Sequence, residues 1–168
     1  MRRFLIAVLF LASLLSGCRS SEAVRTEWPF GDRTLVAQLA DGSEWTSQAR
    51  GVKPLLDIID GERDRFAGAR SYDRIVGRAA AFLYAKIGVR EVVAPVMSEG
   101  AEAILKRHGI KATGGQLVPA IRNRKGDGMC PMDTAVKDLA DDQVEAAIAA
   151  IRATVAKLRS PSASALHE

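Results

Sequence analysis

The chain has 168 residues, of which 48% are hydrophobic and 26% are charged, a composition typical of a globular protein with one core. Its 24 Lys and Arg against 20 Asp and Glu give a net charge of +4. That excess is too small for the dense basic face of a dedicated nucleic-acid binder, so no nucleic-acid partner is expected. Two cysteines and two histidines, none spaced as a ligand pair, give no standard zinc motif, and neither a metal nor a cofactor is expected.

The first 17 residues predict an export signal. Two arginines precede an apolar run over residues 4–15, which is shorter than the roughly 20 residues of a membrane-spanning helix. The run ends in Leu15-Ser16-Gly17-Cys18, which resembles a bacterial lipobox. The resemblance implies that Cys18 receives a lipid and that the mature protein is anchored to a membrane, facing the periplasm or the cell exterior. The alternative is an ordinary signal peptide that is cleaved nearby.

Four parts of the chain follow from this division. Residues 1–17 are the predicted signal peptide, and residues 18–32 are a tether whose end we expect Trp28 and Phe30 to fix to the domain. Residues 33–159 are predicted to form a single domain, and residues 160–168 a small polar tail. The sequence leaves the oligomeric state open.

The domain begins with a predicted hairpin and two predicted helices. Two short apolar runs, 34–40 and 44–48, flank Asp41-Gly42 and predict a β-hairpin. An early proline predicts a short helix over 51–59. Ser71 as N-cap, followed by apolar residues three and four apart, predicts a longer helix over 71–87.

Strands and helices are predicted to alternate in the second half. A β-branched run over 91–97 predicts a buried strand, and Ser98 is the expected cap of a helix over 99–107. Residues 110–121 predict one or two strands, and 131–139 a short helix. The amphipathic helix predicted over 141–158 is expected to dock on the sheet. This alternation favours a single α/β domain, a mixed sheet with helices packed on it.

The segment from Asn123 to Asp133 is the most distinctive. Pro131 at the first helical position places Cys130 at the N-cap, where the helix dipole and preceding basic residues favour a thiolate. The same N–H groups, together with Arg124, could instead bind a phosphate or carboxylate. A purely structural alternative buries Cys130 while Asn123 and Asp133 satisfy backbone groups.

A second candidate segment lies in the predicted helix over 71–87. Arg74 and Arg78 are one turn apart, and Asp73 and Gly77 share another face. Glycine inside a helix costs about 1 kcal/mol relative to alanine, so Gly77 indicates close approach of a ligand or a neighbouring strand. An arginine pair alone is more often a solvated face than a binding site.

Four segments within about residues 34–155 resemble a bacterial family of domains of unknown function with a cytidine-deaminase-like fold. The most specific is N-R-x-G-x-G-x-C-P-M-[DE], carried here by Asn123, Arg124, Gly126, Gly128, Cys130, Pro131, Met132 and Asp133. The chain has arginine at 74 and 78 where the family often has lysine, and Asp133 where glutamate is usual. The resemblance implies a cytidine-deaminase-like fold.

Zinc deaminase activity is not expected, because such enzymes need H-x-E at the start of one helix and P-C-x-x-C at the start of the next. The segments beginning at Ser71 and Ser98 carry neither motif. We therefore expect a non-catalytic domain that binds a small anionic or nucleotide-like ligand. The alternatives are a thiol enzyme or redox sensor using Cys130, and a protein-interaction lipoprotein. The candidate ligand-binding residues are Asp73, Arg74, Gly77, Arg78, Ser98, Asn123, Arg124, Gly126, Gly128, Cys130 and Asp133.

Overall fold

The predicted hairpin opens the fold in the computed structural model, which describes residues 28–160. Strands β1 (Leu35–Gln38) and β2 (Glu44–Ser47) pair antiparallel. Asp41 Oδ1 accepts hydrogen bonds from the N–H and hydroxyl of Ser43 at 2.8 and 2.6 Å, and Gly42 has a φ of +85°, which suits glycine. The predictions for the signal peptide, Cys18 and the tail beyond Ser160 lie outside the described residues.

The next segment confirms one predicted helix and corrects the other. Helix α1 (Lys53–Gly61) follows the hairpin as expected. Residues 70–76, however, form β3 (Arg70–Asp73) and β4 (Ile75–Val76), and helix α2 (Arg78–Ile87) begins only after them. The prediction of one helix from Ser71 is wrong because Ser71 and its neighbours pair with β1 and with a later strand, and this tertiary pairing overrides the local capping signal.

The central strand and its neighbours confirm the predicted alternation. β5 (Glu91–Ser98) leads into α3 (Glu99–Arg107), whose Ala101 N–H donates to Ser98 Oγ at 3.1 Å, and β6 (Lys111–Val118) follows. β5 runs parallel to β3 and β4 along one side and to β6 along the other. With the antiparallel β1 and β2, these strands form the mixed sheet expected from the sequence.

The helices stack on one another above the sheet. α4 (Pro131–Ala135) is shorter than predicted, and α5 (Val144–Arg159) packs mainly against α2 and α4. The expectation that the final helix docks on the sheet is therefore wrong. α2 is buried over most of its length and contacts β4, α3 and α5.

A smaller core covers the other face of the sheet. Val36, Tyr72 and Val93 form a separate cluster with Phe30, because alternate strand residues point to opposite faces. Trp28 stacks on Phe30 with ring centroids 6.1 Å apart. The segment before β1 is thus packed on the sheet. Within residues 28–160, no helix is long and apolar enough to cross a membrane.

Candidate ligand-binding site

A cavity of about 420 Å³ lies beside the end of β4 and the start of α2. This volume is within the range of small-molecule sites, and the carboxyl ends of parallel strands commonly border such sites. Apolar side chains form much of its wall: Leu35, Val52, Leu55, Ile75, Ala80 and Met132. Its polar groups include Thr34, Arg50, Asp73, Arg124, Cys130 and Asp133.

Asp73 ends β3 and places a carboxyl group on the cavity wall. Its Oδ2 accepts a hydrogen bond from the Tyr84 hydroxyl at 3.0 Å. Burial raises the pKa of Asp73 to about 6, although the bonds from Tyr84 and from backbone N–H groups oppose this shift. Burial, with the nearby Asp73 charge, also raises the pKa of Tyr84. The cavity therefore contains a carboxyl group that changes protonation near pH 6.

The start of α2 is occupied by a carboxylate of the protein itself. Asp133 is 4% exposed, and its Oδ1 accepts a hydrogen bond from the Ala79 N–H at 3.0 Å. Burial raises the pKa of Asp133, whereas the bonds from the α2 N–H groups lower it. A Cβ at Gly77 would lie 2.2 Å from Asp133 Oδ2. The close approach predicted at Gly77 is thus made by Asp133.

The loop after β6 is shaped by its own side chains. Asn123 Oδ1 accepts from the Gly126 N–H at 2.8 Å, and Asn123 Nδ2 donates to Asp127 Oδ1 at 2.7 Å. Gly126 has a φ of +77°, and a Cβ at Gly128 would lie 3.3 Å from the Asn123 amide nitrogen. These residues lie outside the cavity wall and hold the loop that presents Arg124.

Cys130 is the N-cap of α4, as the sequence predicts, with Pro131 after it. Its N–H donates to the Ile121 carbonyl at 2.9 Å, and its half-buried thiol is free and lines the cavity. The Asp133 carboxylate, three residues further on, accepts its hydrogen bond from the start of α2.

The cavity wall also carries two exposed arginines, Arg50 and Arg124. Within residues 28–160, neither guanidinium takes part in an ion pair or a hydrogen bond. The sequence motif includes Arg124, whereas Arg50 stands before α1 in a segment with no binding motif. Thr34, Arg50 and Tyr84 are polar residues of this region that the sequence does not single out.

Three other candidate residues make structural contacts. Arg74 is at the cavity, but its guanidinium donates to the carbonyls of Arg33 and Gly31 at 2.9 and 2.6 Å. Arg78 lies outside the cavity wall and donates to the Leu139 carbonyl at 2.8 Å. Ser98 caps α3. The structure therefore gathers six of the candidates around the cavity: Asp73, Arg74, Gly77, Arg124, Cys130 and Asp133.

No group of three or more His, Cys, Asp or Glu side chains among residues 28–160 is arranged to hold a metal ion. α2 begins with Gly77 as N-cap followed by Arg78, and α3 begins with Ser98 followed by Glu99. Neither of these helix starts presents a His or Cys ligand.

The fold and the cavity define a small α/β domain with an apolar pocket bordered by arginines and by the half-buried carboxyl of Asp73. The chain belongs to the DUF1893 family, a domain of unknown function, which matches residues 26–154. A solved structure of a DUF1893 family protein from Thermotoga maritima, TM1506, is similar with a TM-score of 0.62. The two are 26% identical over 75% of this chain and 81% of that chain. None of the curated proteins compared with the chain matches it.

Membership in this family confirms the resemblance to a domain of unknown function. The mixed α/β fold in one domain is confirmed as well. The likeness of this fold to cytidine deaminases and the binding role of the segment from Asn123 to Asp133 remain predictions.

Proposed function

We propose that the chain is an exported lipoprotein whose domain binds a small anionic ligand in this cavity and is not a catalyst. The observation that carries the binding proposal is the pair Arg50 and Arg124 on the wall of an apolar cavity. Guanidinium groups bind carboxylates and phosphates through paired hydrogen bonds. The apolar wall provides the surface for the rest of the ligand.

The position of Asp133 favours the two arginines, and not the start of α2, as the anion site. Its carboxylate accepts a hydrogen bond from the first turn of α2, so this helix start does not offer free N–H groups at that point to an incoming anion. A phosphate or carboxylate in the cavity is therefore expected at Arg124 and Arg50, away from Asp133.

Ribose 5-phosphate is a suitable probe for the anion site. In calorimetric titration of the full chain, Arg124→Ala is expected to weaken its binding about 10-fold, because a charge-assisted hydrogen bond is lost. Lys125→Ala is the matched control, since Lys125 belongs to the same loop and lies outside the cavity wall. Equal affinities of the wild type and Arg124→Ala, or no binding at all, would contradict the proposal.

The membrane anchor is proposed from the lipobox-like sequence ending in Cys18. In a bacterial host supplied with a labelled fatty acid, the wild-type chain is expected to carry the label and to sediment with membranes. Cys18→Ser should lose both properties, because it has no thiol for the lipid. A labelled Cys18→Ser protein, or an unlabelled wild type, would exclude lipidation at this residue.

A thiol-dependent enzyme or redox sensor is the second candidate, favoured by the free Cys130 thiol on the cavity wall. This function predicts that iodoacetamide alkylates Cys130 rapidly and that bound ribose 5-phosphate slows the reaction. An inert thiol, or alkylation unaffected by the ligand, would exclude it.

A further inference from the structure

The cavity contains an acceptor that an anionic group would not use. Asp73 Oδ2 accepts a hydrogen bond from the Tyr84 hydroxyl at 3.0 Å, and its Oδ1 accepts a long one, at 3.4 Å, from the Ile75 N–H. An ionised carboxylate offers about four acceptor positions. Asp73 therefore retains the capacity to accept a hydrogen bond from a ligand.

Tyr84 fixes the direction of that acceptor. The tyrosine is 1% exposed and belongs to α2, so packing on all sides holds its hydroxyl in place. A carboxylate held by a buried donor loses little freedom when a ligand binds, and such preorganisation favours affinity. Asp73 is thus a rigid recognition group, and the exposed Arg50 and Arg124 provide positive charge.

The apolar wall limits what lies between these groups. Leu35 comes from β1, Ala80 from α2 and Met132 from α4, so apolar groups of three elements surround the space. An anion without an apolar body would leave this surface in contact with water and would donate no hydrogen bond to the remaining acceptor positions of Asp73. Both losses disfavour a simple inorganic ion.

We infer that the cavity selects anions that also carry an N–H donor on an apolar ring or chain, with the anion at Arg50 and Arg124 and the N–H at Asp73. Purine nucleoside monophosphates have this chemistry. The inference rests on the proposed anion-binding function and names its ligand class.

Guanosine 5′-monophosphate and ribose 5-phosphate test this inference as a matched pair, because both carry the same phosphate and only the nucleotide has base N–H donors. For the wild type at about pH 7.5, the nucleotide is expected to bind about 10-fold more tightly. Asp73→Asn should remove most of this preference and should not weaken the binding of ribose 5-phosphate, because the substitution removes a negative charge that repels the phosphate. Tyr84→Phe should reduce the preference partly.

The ratio of the two affinities also provides a pH test. The charged or titratable groups on the cavity wall are Arg50, Arg74, Arg124, Cys130 and Asp133, with Tyr84 behind Asp73. Between about pH 7.5 and pH 5, Asp73 gains a proton and the preference should fall. In Asp73→Asn the ratio of the two affinities should be independent of pH. This result would attribute the pH dependence of the wild type to Asp73 and not to Asp133.

The outcomes distinguish this inference from the function on which it rests. If both probes bind the wild type equally, or if Asp73→Asn keeps the preference, the inference that the ligand carries an N–H donor is wrong. The proposed binding of an anion at Arg50 and Arg124 is not contradicted by that result. If neither probe binds, the proposed function fails as well.

Discussion

Replacing Gly77 by alanine is expected to destabilise the fold by about 3 kcal/mol. The new Cβ would lie 2.2 Å from Asp133 Oδ2 and 2.5 Å from Oδ1, so the carboxylate must leave the start of α2. Buried N–H groups that lose their acceptor cost about 1–3 kcal/mol each, and loss of a helix cap costs about 1 kcal/mol. Urea denaturation followed by circular dichroism measures the change in the free energy of unfolding.

Asp133→Ala should have a similar cost for the same reason, and the two substitutions should not be additive. With the carboxylate removed, the Cβ at position 77 no longer meets it, so the double variant should be more stable than the sum predicts by about 2 kcal/mol. Gly61→Ala is the control, because a Cβ there has no neighbour within 4 Å and the backbone has no positive φ. Additive costs, or a Gly77→Ala variant as stable as Gly61→Ala, would contradict the contact.

Raising the pH from about 4 to about 6 is expected to reduce the stability of the wild type through Asp73. The pKa of this carboxyl is about 6 in the folded chain, against an ordinary value of 3.8, so the folded state holds the proton more tightly in this interval. Stability that is present below pH 4 is therefore lost as the pH rises through about 6. The pKa difference corresponds to about 3 kcal/mol, and solvent screening of the half-buried group reduces it to about 2 kcal/mol.

Asp73→Asn should lack this part of the pH dependence, because the amide does not ionise. The free energy of unfolding of both proteins, measured in urea at intervals between about pH 4 and pH 7.5, gives the difference in slope. Asp138→Asn, which removes a carboxyl with a side chain 87% exposed, serves as the control and should follow the wild type. Parallel curves for the wild type and Asp73→Asn would show that Asp73 does not titrate in this interval.

Local sequence signals account for much of the fold. Asp41-Gly42 defines the hairpin turn and the β-branched residues of 91–97 form the central strand, because turn chemistry and burial act over a few residues. At Ser71 the local signal predicts the wrong structure. Its capping pattern is typical of a helix, but strands on both sides pair with it, and partners remote in the chain leave no local signal.

The candidate site divides in the same way. Gly77 and Cys130 have local signals, a glycine in an apolar pattern and a cysteine before a helical proline, and the structure explains both positions. Arg50 and Tyr84 have none, because the fold brings Arg50 to the cavity from the segment before α1 and places Tyr84 of α2 behind Asp73. The side chains of Arg78 and Asn123 form hydrogen bonds with backbone groups of the domain itself. Their residue types alone do not distinguish this structural role from ligand binding.

A crystal structure of the full chain with guanosine 5′-monophosphate is the most direct test of the proposed site. We expect density in the cavity, with phosphate oxygens within hydrogen-bond distance of Arg124 and Arg50 and a base N–H donating to Asp73. An empty cavity at saturating ligand, or a nucleotide bound away from these residues, would contradict the proposed site.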